Sequence, residues 1–180
     1  MIKKGKPRIG MEDTMYLHAD LTKTLRRIPW FVDLTQSQLD RLASVTLLHE
    51  MELNDILFHE GDREDYLYVL LEGQVVLEVE APTRGVVPVY TAEALDIIGW
   101  SSMTPIVRQR TACARATQHC ILLGFNSKLL QQLCDEDHEL GYVIMRRLAN
   151  VVASRLLTTR LCLLDMIAHS APQEDTQVSR

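Results

Sequence analysis

The stretch Tyr66-Leu67-Tyr68-Val69-Leu70-Leu71-Glu72-Gly73-Gln74-Val75-Val76-Leu77-Glu78-Val79-Glu80 decides the fold class. Two apolar runs flank Glu72-Gly73, and glycine tolerates the positive φ of a tight turn. The second run alternates at its end, as a strand with one wet face does. Similar short runs recur outward on both sides: Val45–Leu48, Ile56–Phe58, Val86–Tyr90, Ile97–Ile98, Arg110–Ala116 and Cys120–Phe125. Gly61-Asp62 and Arg84-Gly85 supply further turns. Short strands at regular spacing with turn signals between them predict an all-β sandwich or barrel.

Helical texture brackets this region. Leu21 to Arg27 reads as a short helix, and Thr35 is a good N-cap for a helix over Gln36–Ala43 with Leu39 and Leu42 on one face. Asn126-Ser127 caps a helix from Lys128 to Leu133, and a long helix runs from about Asp137 to Ala168. Within it Met145, Ala149, Val152, Leu156, Thr159, Leu163 and Met166 are spaced 4, 3, 4, 3, 4, 3, the apolar seam of a two-stranded coiled coil. Ile144, Leu148 and Val151 form a second stripe. Two stripes imply two partners, the chain's own domain and a second copy in a parallel homodimer.

The expected organisation is therefore an N-terminal tail over residues 1–20, a mainly β body with N-terminal helices over 21–135, a long dimerisation helix over 136–168, and a disordered polar tail over 169–180.

Composition narrows the function. The chain has 180 residues and a net charge of −5, which argues against a nucleic-acid partner. No apolar run reaches the ~18 residues of a membrane span. The basic start, Met1 to Arg8, has no apolar stretch behind it and is not a signal peptide, so the cytoplasm is the expected compartment. Cys113, Cys120, Cys134 and Cys162 lack CxxC spacing and no histidine cluster accompanies them, so no metal site is expected. No Ser-His-Asp order or paired carboxylates stand out, so no catalytic residue is assigned.

One stretch carries the chemistry: Asp96-Ile97-Ile98-Gly99-Trp100-Ser101-Ser102-Met103-Thr104-Pro105, followed by Arg110-Thr111-Ala112. It reads as a short strand, a glycine break, one helical turn and a second strand. Ser101 and Ser102 at the helix start leave backbone N–H groups for an anion. Arg110, ten positions after Trp100, can pair with a phosphate through parallel hydrogen bonds. A surface crossover with a solvated arginine is the competing reading.

Phe58-His59-Glu60-Gly61-Asp62, the Tyr66–Val75 run and Arg110-Thr111-Ala112, at these intervals, resemble the cyclic-nucleotide-binding domain. That jelly-roll module occurs in the bacterial catabolite-activator and fumarate-nitrate-reduction regulators and in cyclic-nucleotide-gated kinases and channels. The resemblance covers about Leu21 to Ala168. It implies an antiparallel β-roll followed by a long C-terminal dimerisation helix, with a hairpin closed by Gly73. It also implies a phosphate site at Arg110 and Thr111.

In that family the residue after the cassette glycine is a glutamate that accepts the ribose 2′-OH. Here Gly99 is followed by Trp100, so the sugar half of the site is altered. An unpaired ligand hydroxyl costs about 1–3 kcal/mol, or roughly tenfold to a hundredfold in affinity. Two readings of Trp100 stand: it fills the sugar space, or it stacks on a flat ligand. Thr158 and Thr159 lie at the level where the family's long helix meets the base, and Thr159 equally reads as a polar seam residue that sets register. No winged helix-turn-helix can be built after Ala168, so no DNA-binding domain is expected.

Two functions follow. One is a non-catalytic dimeric ligand-sensing module with no resident cofactor. It takes a cyclic nucleotide or another small anion at Arg110, Thr111, Ser101 and Ser102, with Gly99, Trp100, Thr158 and Thr159 on the sugar and base side, and signals to an unknown protein partner. The other is a ligand-free scaffold whose pocket is plugged by Trp100.

Overall fold

The computed structural model describes residues 21–168 apart from Glu64, Thr83, Pro105 and Arg108. The expected N-terminal arm and polar tail lie outside the described residues.

Helix α1 (residues 21–27) and a 3-10 turn at Pro29–Phe31 lead to α2 (Gln36–Ser44). Thr35 caps α2 as its side chain promised. Its Oγ1 accepts from the Gln38 N–H, and the Gln38 side chain accepts from the Thr35 N–H at 3.0 Å. Leu39 and Leu42 are both buried.

Eight strands follow: β1 (Thr46–Met51), β2 (Ile56–Phe58), β3 (Tyr66–Glu72), β4 (Val75–Ala81), β5 (Gly85–Ala92), β6 (Ile97–Ile98), β7 (Cys113–Ala116) and β8 (Cys120–Asn126). They form two antiparallel four-stranded sheets, ordered β1-β8-β3-β6 and β2-β7-β4-β5. This is the jelly-roll architecture.

Two expectations need correction. The turn at Gly73 closes no hairpin: β3 pairs with β6 and β8, and β4 with β5 and β7, so the turn carries the chain from one sheet to the other. Gly73 is required there twice over. Its φ is +94°, and a Cβ would fall 2.4 Å from the His119 carbonyl. The strand expected from Arg110 begins only at Cys113. The Arg110 backbone is engaged instead with the turn after β2: its N–H donates to the Asp62 carbonyl and its carbonyl accepts from the Gly61 N–H, each at 2.9 Å.

Strand β3 is covered on both faces, which is why it reads as an almost unbroken apolar run. Leu67 and Val69 face a cluster built with the helices, including Leu25, Phe31, Leu42, Phe125 and Leu148. Tyr68 and Leu70 face a second cluster between the sheets, with Phe58, Val75, Ala114 and Leu122.

Helix α3 (Ser127–Glu136) is capped by Asn126, whose Oδ1 accepts from the Leu129 N–H at 3.1 Å. Asp137 then breaks the chain and caps α4 (His138–Ala168), accepting from the Leu140 N–H at 3.0 Å. At the α3–α4 crossing a Cβ on Gly141 would lie 2.8 Å from the Cys134 carbonyl, so only glycine permits this approach. The two stripes of α4 separate as their spacing implied. Ile144 and Leu148 are each 2% exposed, whereas Leu156 is 70% and Leu163 54% exposed.

Candidate functional site

Strand β6 ends at Gly99, whose φ of +79° turns the chain into a 3-10 turn over Trp100–Met103. A positive φ is the reason a glycine stands here. Against this turn lies Arg110, only 3% exposed. Its Nη1 donates to the Gly99 carbonyl at 2.7 Å and its Nη2 to the Tyr66 carbonyl at 2.6 Å. The guanidinium carbon sits 4.3 Å from the Phe58 ring centroid. A solvated surface arginine is therefore excluded: the charge is inside, on a ring face and between two carbonyls.

Beside this guanidinium is a shallow cleft that encloses about 20 Å³, room for a water molecule. Its lining includes Phe58, Leu77 and Ile97 on the apolar side and Gly99, Trp100, Ser101, Arg110 and Thr111 on the cassette side. Among the described residues none that lines it is acidic. The cleft thus sets an apolar wall beside a buried cation whose two Nη atoms are already held by carbonyls. Thr111 is exposed at the cleft and Ser101 is buried in its wall. Trp100 is half-buried; it lines the cleft and packs against the helical cluster.

The remaining sequence candidates lie elsewhere. Ser102 does not line the cleft. Its N–H, expected to be open to an anion, donates to the Gly99 carbonyl at 3.1 Å, because the tight 3-10 turn uses it internally. Its hydroxyl donates to the same carbonyl and lies 2.7 Å from Ser127 Oγ. Thr158 and Thr159 are on α4 and do not line the cleft. Thr158 Oγ1 donates back to the Ser154 carbonyl at 3.1 Å, and Thr159 is exposed.

Sequence reading missed three participants: the Phe58 ring, the Tyr66 carbonyl and Arg155. The last left a trace. Ile144, Leu148, Val151 and Arg155 are spaced 4, 3, 4, so Arg155 is a cation on the stripe that faces the domain. Its Nη2 donates to the Ile97 carbonyl at 3.2 Å and its guanidinium lies over Tyr90. Burial pushes its pKa down to about 10.

The roll, the glycine-led cassette and the inward arginine define a class of regulatory nucleotide-binding modules. A family model for the cyclic nucleotide-binding domain matches residues 48–137, and the chain belongs to that family. Among solved structures it is similar to a putative cyclic nucleotide-binding protein from Geobacter metallireducens, with 28% identity and a TM-score of 0.66 over 75% of this chain and 97% of that one. It is also similar to the N-terminal domain of a transcriptional regulator from Streptomyces coelicolor, with 28% identity and a TM-score of 0.59 over 84% of this chain and 98% of that one. A cyclic nucleotide-binding domain from Methylobacillus flagellatus shares the fold at 24% identity, with a TM-score of 0.69 over 85% of each chain. No curated protein matches significantly. Among the described residues no helix is long and apolar enough to cross a membrane, and no cluster of potential metal ligands occurs.

Proposed function

We propose that this protein is a non-catalytic, homodimeric sensor of a small organic anion, working in the cytoplasm and passing its state to a protein partner. The observation that carries this reading is the buried Arg110 guanidinium beside a shallow cleft at which Thr111 is exposed. A cyclic nucleotide or a similar phosphate would meet Arg110, Thr111 and Ser101, and its apolar parts would meet Phe58, Leu77 and Trp100. With Trp100 after Gly99 the 2′-OH finds no carboxylate, so affinity for an ordinary cyclic nucleotide is weakened. The exposed apolar side of α4, with Leu156 and Leu163 outward, supports pairing with a second copy.

A second reading has its own support. Both Nη atoms of Arg110 already hold carbonyls, and Trp100 packs against the core. These are the features of a ligand-free interaction module that keeps the cassette as structure.

Calorimetric titration separates the two. Cyclic AMP, cyclic GMP and cyclic di-GMP are each titrated into wild type and Arg110→Lys, which keeps the charge but loses the fork. The sensor reading expects heat from at least one of the three and a loss of about tenfold or more in Arg110→Lys. Folded wild-type protein that gives no heat with any of them overturns the nucleotide form of the sensor and leaves the interaction module standing.

A further inference from the structure

The two halves of α4 are held in different ways. The first half is anchored by packing. Leu140, Ile144 and Leu148 are buried in the helical cluster, and Arg146 and Arg147 both reach Asp33. From Val151 onward no described residue of the helix is buried. That half meets the roll through arginines instead. Arg84 of the roll donates through Nη2 to the Met166 carbonyl at 3.1 Å. Arg155 of the helix lies on the Tyr90 ring, 3.0 Å from its centroid, and donates to the Ile97 carbonyl.

Arg155 is an unusual choice for this place. It continues the domain-facing stripe, where an apolar residue would pack without cost. Among the described residues it makes no ion pair, and its Nε is buried without a hydrogen-bond partner. Tyr90 offsets part of this. Its hydroxyl donates to Asp96 Oδ2 at 2.8 Å, which polarises the phenol and deepens the negative ring face under the cation.

The strand that Arg155 grips is the one that carries the cassette. Ile97 lines the cleft, and Gly99, two residues on, is the carbonyl that holds Arg110. One guanidinium from the helix and one from the cleft therefore hold the same three-residue segment.

We infer that Arg155 is a positioning residue that pins the second half of α4 to segment 97–99, so that the helix and the Arg110 anchor are set together. An anion that draws Arg110 away from the Gly99 carbonyl removes one of the two arginine holds on that segment, leaves the Ser102 bonds to the same carbonyl, and loosens the pin. Lifting the helix relaxes the anchor in turn, by the reciprocity of linked equilibria. The coupling to an anion rests on the sensor reading above. The pin does not, and its test uses the ligand-free full chain.

Amide hydrogen exchange is followed in wild type, Arg155→Met and Arg155→Lys. Methionine keeps the apolar stem and removes the cation and its donors. Arg155→Met is expected to speed exchange by about tenfold or more over residues 153–168 and over 97–103, with residues 138–148 unchanged. Trp100 emission, isolated by difference from Trp100→Phe, should shift in parallel, since Trp100 adjoins the pinned segment. Arg155→Lys, which keeps a cation on Tyr90 and one donor, should restore most of the protection. The same comparison in a Leu156→Glu background removes masking by a second copy. Acceleration spread evenly over 138–168, or an unchanged 97–103 segment and unchanged Trp100 emission, overturns the pin.

Discussion

Arg110 Nη1 lies 2.7 Å from the Gly99 carbonyl oxygen, and a Cβ on residue 99 would lie 2.3 Å from that same nitrogen. The glycine and the arginine are thus one unit. Gly99 provides the φ of +79° that turns the chain, the carbonyl that Arg110 grips and the bare surface that lets it approach. Gly99→Ala must strain the backbone and displace a guanidinium that is bonded on two sides. The expected cost is about 1–3 kcal/mol, read as a lower midpoint in urea unfolding. Arg110→Ala is also destabilising, because it leaves the Gly99 and Tyr66 carbonyls without this donor. In the double variant the collision is gone, so the two losses are expected to sum to less than their parts.

Trp100 stands where the family resemblance places a ribose-binding carboxylate. Trp100→Glu supplies an acceptor at the cleft wall beside Ser101. Affinity for cyclic AMP is expected to rise by roughly tenfold or more over wild type in calorimetric titration. An unchanged or weaker affinity would mean that the indole itself makes the better contact.

Leu156 is the most exposed large apolar residue of the proposed seam, at 70%. A charge there has little effect on a single chain and a large one on a packed helix pair. Leu156→Glu is expected to sediment as a monomer where wild type sediments as a dimer. A dimer that persists would place the contact on another face of α4.

Asp137 joins α3 to α4 and carries a pH dependence. The hydrogen bond from the Leu140 N–H, then that from the Gln38 side chain, hold its carboxyl below the ordinary value of 3.8. A carboxyl whose pKa falls on folding adds stability above its unfolded value and loses it as pH drops through its folded value. Asp137→Asn, which keeps an acceptor but no charge, should therefore lower Tm at pH 7. The gap to wild type should close as melts are taken below pH 3.8.

Much of this was legible from neighbours in the chain. Thr35 with Gln38 and Asn126 with Leu129 are three residues apart, so each cap is visible as a short pattern. The β3 run announced a strand, and the fold shows both of its faces covered. The places where the reading slipped share a cause. Arg110 reads as strand by composition, but its backbone pairs with a turn almost fifty residues earlier. The hairpin at Gly73 is implied by the resemblance; the turn instead changes sheets, with the β7–β8 corner packed behind it. The Ser102 N–H looked open because its acceptor, the Gly99 carbonyl, appears only when the turn tightens to 3-10 geometry.

The sequence by itself determined an all-β body with flanking helices and the two-stripe pattern of α4, which follow from period, turn residues and spacing that act over a few positions. The β-roll and the cassette of Gly99, Trp100, Arg110 and Thr111 came from the resemblance to the cyclic-nucleotide-binding domain. Only the tertiary structure decided which way Arg110 faces, which stripe of α4 is buried, and that Arg155 reaches the strand carrying the cassette. The partners involved are 11, 44 and 58 positions apart in the chain. A guanidinium has no local preference among carbonyls and ring faces; the packing that excludes water around it selects them.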